Sequence, residues 1–106
     1  FTWDTQNLEQ DIASAEAGWA VCKKLLQDPT VHVILLDELN IVLKMNYLNT
    51  EMVLKDIASR PPMQHVIVTG RGAPDAVLDA ADTVSRIDDV KHAFRAGIKA
   101  QKGIEL

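Results

Sequence analysis

The spacing of apolar residues changes several times along the chain. Leu8, Ile12, Ala15, Trp19, Cys22 and Leu26 recur at intervals of four and three, the stripe of an amphipathic helix. Asn7 is placed to cap that helix, with Gln10 three residues on in the manner of a capping box. Asp28-Pro29 ends it. Val31 to Leu36 is a short run rich in branched apolar residues. It predicts a strand buried on both faces, as in a parallel sheet covered by helices. Leu39 to Met45 reads as a short helix or turn. Asn49 or Thr50 caps a further helix through about Ser59, with Val53, Ile57 and Leu54 inward, and Arg60-Pro61-Pro62 stops it. His65 to Thr69 predicts a second strand, and Gly70-Arg71-Gly72 a turn directly after it. Pro74 suits the first turn of a helix running to about Ala81. Thr83 to Ile87 reads as a third strand, although Val84 and Ile87 are out of phase. Ala93 to Gln101 reads as a helix weakened by Gly97, and Phe1 to Gln6 as a loop.

Strands alternating with helices predict an α/β fold, a parallel sheet flanked by helices, with right-handed crossovers. About three strands leave a raw edge, and an open edge normally pairs with something. An N-terminal segment or a second copy of the chain is expected to supply the partner strand.

The 106 residues amount to one domain or less. At 47% apolar and 25% charged the chain has globular composition. It can bury a modest core, roughly 65% of the surface its unfolded form exposes. The net charge of −4 argues against a general nucleic-acid binder. The charge is uneven: Lys91, Arg95, Lys99 and Lys102 form a basic strip without an acid among them. The strip is either a solvated tail or a surface facing an anionic ligand. Cys22 is the only cysteine, so an intrachain disulfide is impossible and a reducing compartment fits. The apolar stretches are far short of the ~20 residues that cross a bilayer.

Candidate chemistry begins where the first strand ends, in the adjacent carboxylates of Asp37 and Glu38. A strand-end acid suits Mg²⁺, a hard cation that takes oxygen ligands and keeps several waters. The segment has the shape of a Walker B motif, in which an acid after a buried strand holds Mg²⁺ against nucleotide phosphates. The alternative is a pair of acids capping the following helix. No Gly-rich phosphate loop ending in Lys-Ser/Thr occurs in these residues, and the chain begins at Phe1 rather than Met. The expectation is the C-terminal part of a larger nucleotide-binding domain. Thr69-Gly70-Arg71-Gly72 falls on the same sheet edge. Arg71 either reaches a phosphate bidentately or pairs with Asp75, Asp79 or Glu38. Phe1 and Trp3 are two aromatics in a polar loop, fit to stack on a flat ligand or to plug the open end of the sheet. His32 is expected to be a buried or edge histidine, and His65 to lie at the surface. His92 sits in the basic strip, and no spacing resembles a zinc site. Cys22 and Trp19 lie on the helix stripe and read as core.

Taken together, several blocks resemble a known family. These are Phe1-Thr2-Trp3-Asp4-Thr5-Gln6-Asn7, Leu35-Leu36-Asp37-Glu38-Leu39, Arg60-Pro61, Val66 to Gly72, Ala81 to Ser85, and Val90 to Glu105. They are similar to the C-terminal half of the P-loop type of ATP:cob(I)alamin (corrinoid) adenosyltransferases. The first and last blocks are specific to that family, whereas the Asp-Glu block alone is shared with many P-loop NTPases. The resemblance implies a RecA-like P-loop NTPase fold, here lacking its N-terminal phosphate-loop segment, in a cytoplasmic homodimer without nucleic-acid or membrane partners. It implies transfer of the 5′-deoxyadenosyl group of ATP to the cobalt of reduced cobalamin, with release of triphosphate. Glu38, with Asp37 beside it, would carry Mg²⁺. Phe1 and Trp3 would lie over the corrin and displace the lower axial ligand of cobalt(II), so that a reduced flavoprotein can donate the electron. Arg71, Lys91 and His92 would contribute to binding triphosphate or the corrinoid periphery. Leu8 stands where the family pattern places a polar or basic residue. Without the phosphate loop this piece is expected to bind ATP weakly or not at all and to be inactive alone. The competing readings are a RecA-like ATPase, with Glu38 activating water, and a non-catalytic module that only dimerises.

Overall fold

The computed structural model describes residues 7–91. Its elements in order are helix α1 (Leu8–Leu26), strand β1 (Val33–Leu36), helix α2 (Leu39–Lys44), helix α3 (Thr50–Ala58), strand β2 (His65–Val68) and helix α4 (Asp75–Ala80). The expected order of helices and of the first two strands is present. The N-cap of α1 is Asn7, whose side-chain oxygen accepts from the Gln10 N–H at 3.4 Å. The reciprocal half of the box is altered: Asn7 Nδ2 donates to Gln10 Oε1 at 2.7 Å. Of the two candidate caps of α3, Asn49 is the one used, accepting from the Met52 N–H at 2.9 Å.

Strands β1 and β2 pair in parallel, with Val33 opposite His65 and Leu36 opposite Val68. Among the described residues these two strands are the whole sheet. One face packs on the core, where Ile34 and Leu36 from β1 meet Leu39, Val42 and Leu43 from α2, Val53 from α3, and Ala15, Trp19 and Leu26 from α1. On the helix stripe Leu8 is the exception, since it is exposed. Two polar contacts fix the helices to one another. Trp19 Nε1 donates to Asp56 Oδ2 at 2.8 Å, and Lys23 Nζ stands 3.8 Å from Asp56 Oδ1. Gln64, only 4% exposed, donates from Nε2 to the carbonyls of Leu25, Asp28 and Val31. It thereby ties the end of α1 and the entry to β1 to the start of β2.

Two expectations are corrected. Strand β1 is buried on one face only: Val33 and Leu35 are 58% and 59% exposed, while Ile34 and Leu36 are buried. A run apolar at every position hides which face is covered, because no polar residue marks the open side. Of the two places expected for His32, buried or at an edge, the edge is the one found: it is exposed just before β1, its carbonyl accepting from the His65 N–H. The third strand over Thr83 to Ile87 is absent. That segment is irregular and exposed, with Ile87 95% accessible. Val84 and Ile87 are three apart and would point to opposite faces of a strand, so neither face is apolar enough to hold it to the sheet. The loop over Phe1 to Gln6 and the helix over Ala93 to Gln101 lie outside the described residues.

Candidate functional site

Parallel pairing brings the C-terminal ends of β1 and β2 to one edge, and with them Asp37-Glu38 and Thr69-Gly70-Arg71-Gly72. Strand ends of this kind are where open α/β sheets bind ligands. The junctions are joined by hydrogen bonds that leave and re-enter both. The Thr69 N–H donates to the Leu36 carbonyl at 3.3 Å, continuing the ladder one step past the strands. The Thr69 hydroxyl donates to Asp37 Oδ1 at 2.8 Å and accepts from the Glu38 N–H at 3.0 Å. The Asn40 N–H donates to the Thr69 carbonyl at 3.2 Å. Asn40 Nδ2 donates to the Gly70 carbonyl at 3.1 Å.

Backbone conformation is special at two points of this knot. Glu38 adopts the left-handed region at φ 63°, ψ 15°, unusual for a residue with a side chain. Gly70 has φ 124°, and a Cβ there would stand 3.0 Å from Asn40 Cβ and 3.4 Å from Glu38 Cα. Glycine is therefore needed both for conformation and for close approach.

The two acids are in different situations. Asp37 spends one carboxylate oxygen on Thr69. Glu38 occupies the N-cap position of α2 but makes no side-chain capping bond. Its carboxylate is exposed and, among the described residues, forms no hydrogen bond or ion pair. Neither acid is thus seen to make a side-chain capping hydrogen bond to α2. Arg71 is exposed, and it forms no ion pair with Asp75, Asp79 or Glu38 among the described residues. Lys91 is exposed in a bend. Phe1, Trp3 and His92 lie outside the described residues. The site therefore unites Asp37, Glu38 and the Arg71 loop.

Three of its members carried no role in the sequence reading. Thr69 and Asn40 knit the junctions, and Asn40 is 6% exposed with its Oδ1 buried and unpartnered. An amide inside the apolar Leu39–Leu43 segment was the available signal. Lys44 lies against Gly72, with its Nζ 3.1 Å from where a Cβ would stand, and puts a cation beside the Gly-Arg-Gly turn.

Two open hollows of about 530 and 410 Å³ lie elsewhere, between α1 and the segment from Asn46 to Met52, and none of the strand-end residues lines them. Cys22 is half-buried on α1. Burial pushes its thiol above the ordinary cysteine range, partly offset by a backbone hydrogen bond, which suits packing rather than nucleophilic chemistry. No helix among the described residues is long and apolar enough to cross a membrane.

Residues 1–106 match the family model of the ATP:corrinoid adenosyltransferases BtuR/CobO/CobP. The chain is 60% identical over its whole length to the corrinoid adenosyltransferase of Pseudomonas aeruginosa, of which it covers 52%. It is 49% identical over 99% of its length to corrinoid adenosyltransferase CobA of Salmonella typhimurium, covering 54% of that protein. To the corrinoid adenosyltransferase of Escherichia coli K12 it is 48% identical, with the same two coverages. The chain spans about half the length of the curated relatives it matches. Such identity across every described element and both flanking segments leaves one conclusion: the chain belongs to the ATP:corrinoid adenosyltransferase family.

Proposed function

We propose that the protein containing these residues transfers the 5′-deoxyadenosyl group of ATP to the cobalt of cob(I)alamin, releasing triphosphate, in adenosylcobalamin synthesis. The supporting observation is the family match over residues 1–106, joined to an exposed carboxylate at the C-terminal end of a parallel strand. The cobalt(I) of the substrate is itself the nucleophile. Its electron pair forms the bond to C5′ while the bond from C5′ to the triphosphate oxygen breaks. The protein then has to position the reactants and balance charge, with no catalytic base of its own.

A divalent cation fits the donors present. Mg²⁺ is commonly held by one or two carboxylates and completes its shell with phosphate oxygens and water. Glu38 would hold the ion, with Asp37 beside it. When bound, Mg²⁺ neutralises charge on the departing triphosphate. Arg71, Lys91 and His92 would contribute to binding triphosphate or the corrinoid periphery. Phe1 and Trp3 would pack over the corrin and weaken the lower axial ligand of cobalt(II), which would ease its reduction by a flavoprotein. In this reading the full-length protein is a cytoplasmic homodimer with a RecA-like fold, and the 106-residue segment, without a phosphate loop, is inactive alone.

The test supplies the full-length protein with ATP, Mg²⁺ and chemically reduced cob(I)alamin. Adenosylcobalamin and triphosphate are expected in equal amounts. Orthophosphate without alkylated cobalt would instead indicate an ATPase and overturn the reading. Glu38→Gln is expected to lower turnover at limiting Mg²⁺ by ~10²-fold, the scale of a lost charge-stabilising contact. Unchanged kinetics would remove Glu38 from the metal site.

A further inference from the structure

We propose that Thr69 is a positioning residue whose hydroxyl divides the work of the acidic pair, holding Asp37 as a brace and leaving Glu38 as the one carboxylate presented to the divalent cation. The inference rests on the reading of Glu38 as metal-binding and goes beyond it, because it takes Asp37 out of the metal's own ligands.

The argument begins with the hydroxyl's two bonds. Thr69 Oγ1 has one proton, and it goes to Asp37 Oδ1 at 2.8 Å. A lone pair of the same oxygen takes the Glu38 N–H at 3.0 Å. One atom thus fixes the side chain of one acid and the backbone of the next. The second contact falls on the residue in the left-handed conformation, which an L-residue holds only when its surroundings over-determine it. Turning the chain there lets Asp37 face β2 while the Glu38 carboxylate stays in solvent without a protein partner among the described residues. Thr69 is itself held from both sides. Its N–H donates to the Leu36 carbonyl, and its carbonyl accepts from the Asn40 N–H. Asn40 reaches on to the Gly70 carbonyl, and the missing Cβ of Gly70 is what lets the two loops approach so closely. The brace therefore stands on the buried end of α2 and not on a mobile side chain. Outer groups that orient metal ligands typically govern affinity by 10–100-fold.

The experiment titrates Mn²⁺ into the full-length protein at saturating ATP, read by water-proton relaxation enhancement. That signal separates protein-bound Mn²⁺ from Mn²⁺ held by nucleotide alone. Thr69→Val, which keeps the shape and removes the hydroxyl, is expected to weaken Mn²⁺ binding about tenfold or more. Thr69→Ser, which keeps the hydroxyl, is expected to stay within about threefold of wild type. Asp37→Asn retains an acceptor for Thr69 and is expected to weaken binding less than Glu38→Gln. Thr69→Val binding within threefold of wild type, or Thr69→Ser as weak as Thr69→Val, would overturn the proposal. Should Thr69→Val not fold, Asp37→Asn decides: a loss equal to that of Glu38→Gln makes Asp37 a ligand and overturns the brace. Adenosyl transfer by the wild type is measured in parallel. Its absence defeats the proposed function, while the Mn²⁺ titration still reads the role of Thr69.

Discussion

Burial raises the Cys22 thiol above the ordinary cysteine range, and the sign of its linkage to folding follows. The folded chain holds this proton more tightly than the unfolded chain. The stabilisation is fully present below the unfolded pKa and is lost as pH rises through the folded one, on the alkaline side of neutrality. Alkylation by iodoacetamide, followed on the Cys22 peptide by mass spectrometry, is expected to show a pH midpoint higher in the native protein than in urea. Coincident midpoints would mean that the thiol feels no burial. Residues differ in how openly they announced such roles. Cys22 and Trp19 stood on a visible stripe, and both lie on the packed side of α1. The acidic pair was equally plain, since two carboxylates after an apolar run interrupt the pattern. The task of Thr69 was not, because its partners are 31 and 32 positions away and only strand pairing brings them together.

At the scale of elements, the helices owe their ends to identifiable side chains. Asn49 caps α3 through a 2.9 Å bond to the Met52 N–H, and α3 places the fully buried Val53 in the core. Asn49→Ala is expected to destabilise the protein by about 1 kcal/mol, read as a lower urea midpoint with an unchanged slope. A loss below about 0.3 kcal/mol would show that packing alone holds this helix start. Capping chemistry is local, so it was legible: Asn7 and Asn49 both precede periodic stretches. Strand coverage is not local. The alternation of buried and exposed positions in β1 is set by what lies on each side of the sheet, and Val33-Ile34-Leu35-Leu36 carries no polar residue to mark it. The Thr83 to Ile87 segment failed for the complementary reason: its residues have strand character, but their phase gives no apolar face to bury.

For the whole molecule, the uncovered face of the sheet matters most. Val33, Leu35 and Ile67 are each more than half exposed on it, and an apolar face of a sheet whose two edges are unpaired among the described residues favours association. The 106-residue segment expressed alone is expected to self-associate in light scattering as its concentration rises, and Leu35→Lys to reduce the effect. A monodisperse monomer at all concentrations would mean that this face is tolerated by itself. The chain spans about half the length of its corrinoid adenosyltransferase relatives.

Gln64 gives the pairing of the two strands a fixed origin. Its amide reads the carbonyls of Leu25, Asp28 and Val31 immediately before β2 starts, and the His65 N–H then meets the His32 carbonyl at 2.8 Å. Sliding β2 by one residue would turn its side chains to the opposite faces and pull that amide, 4% exposed, off all three carbonyls. A slipped sheet would also carry Thr69 past Asp37. The same buried glutamine that measures out the strands thus sets, from the far end of the sheet, the alignment on which the acidic pair depends.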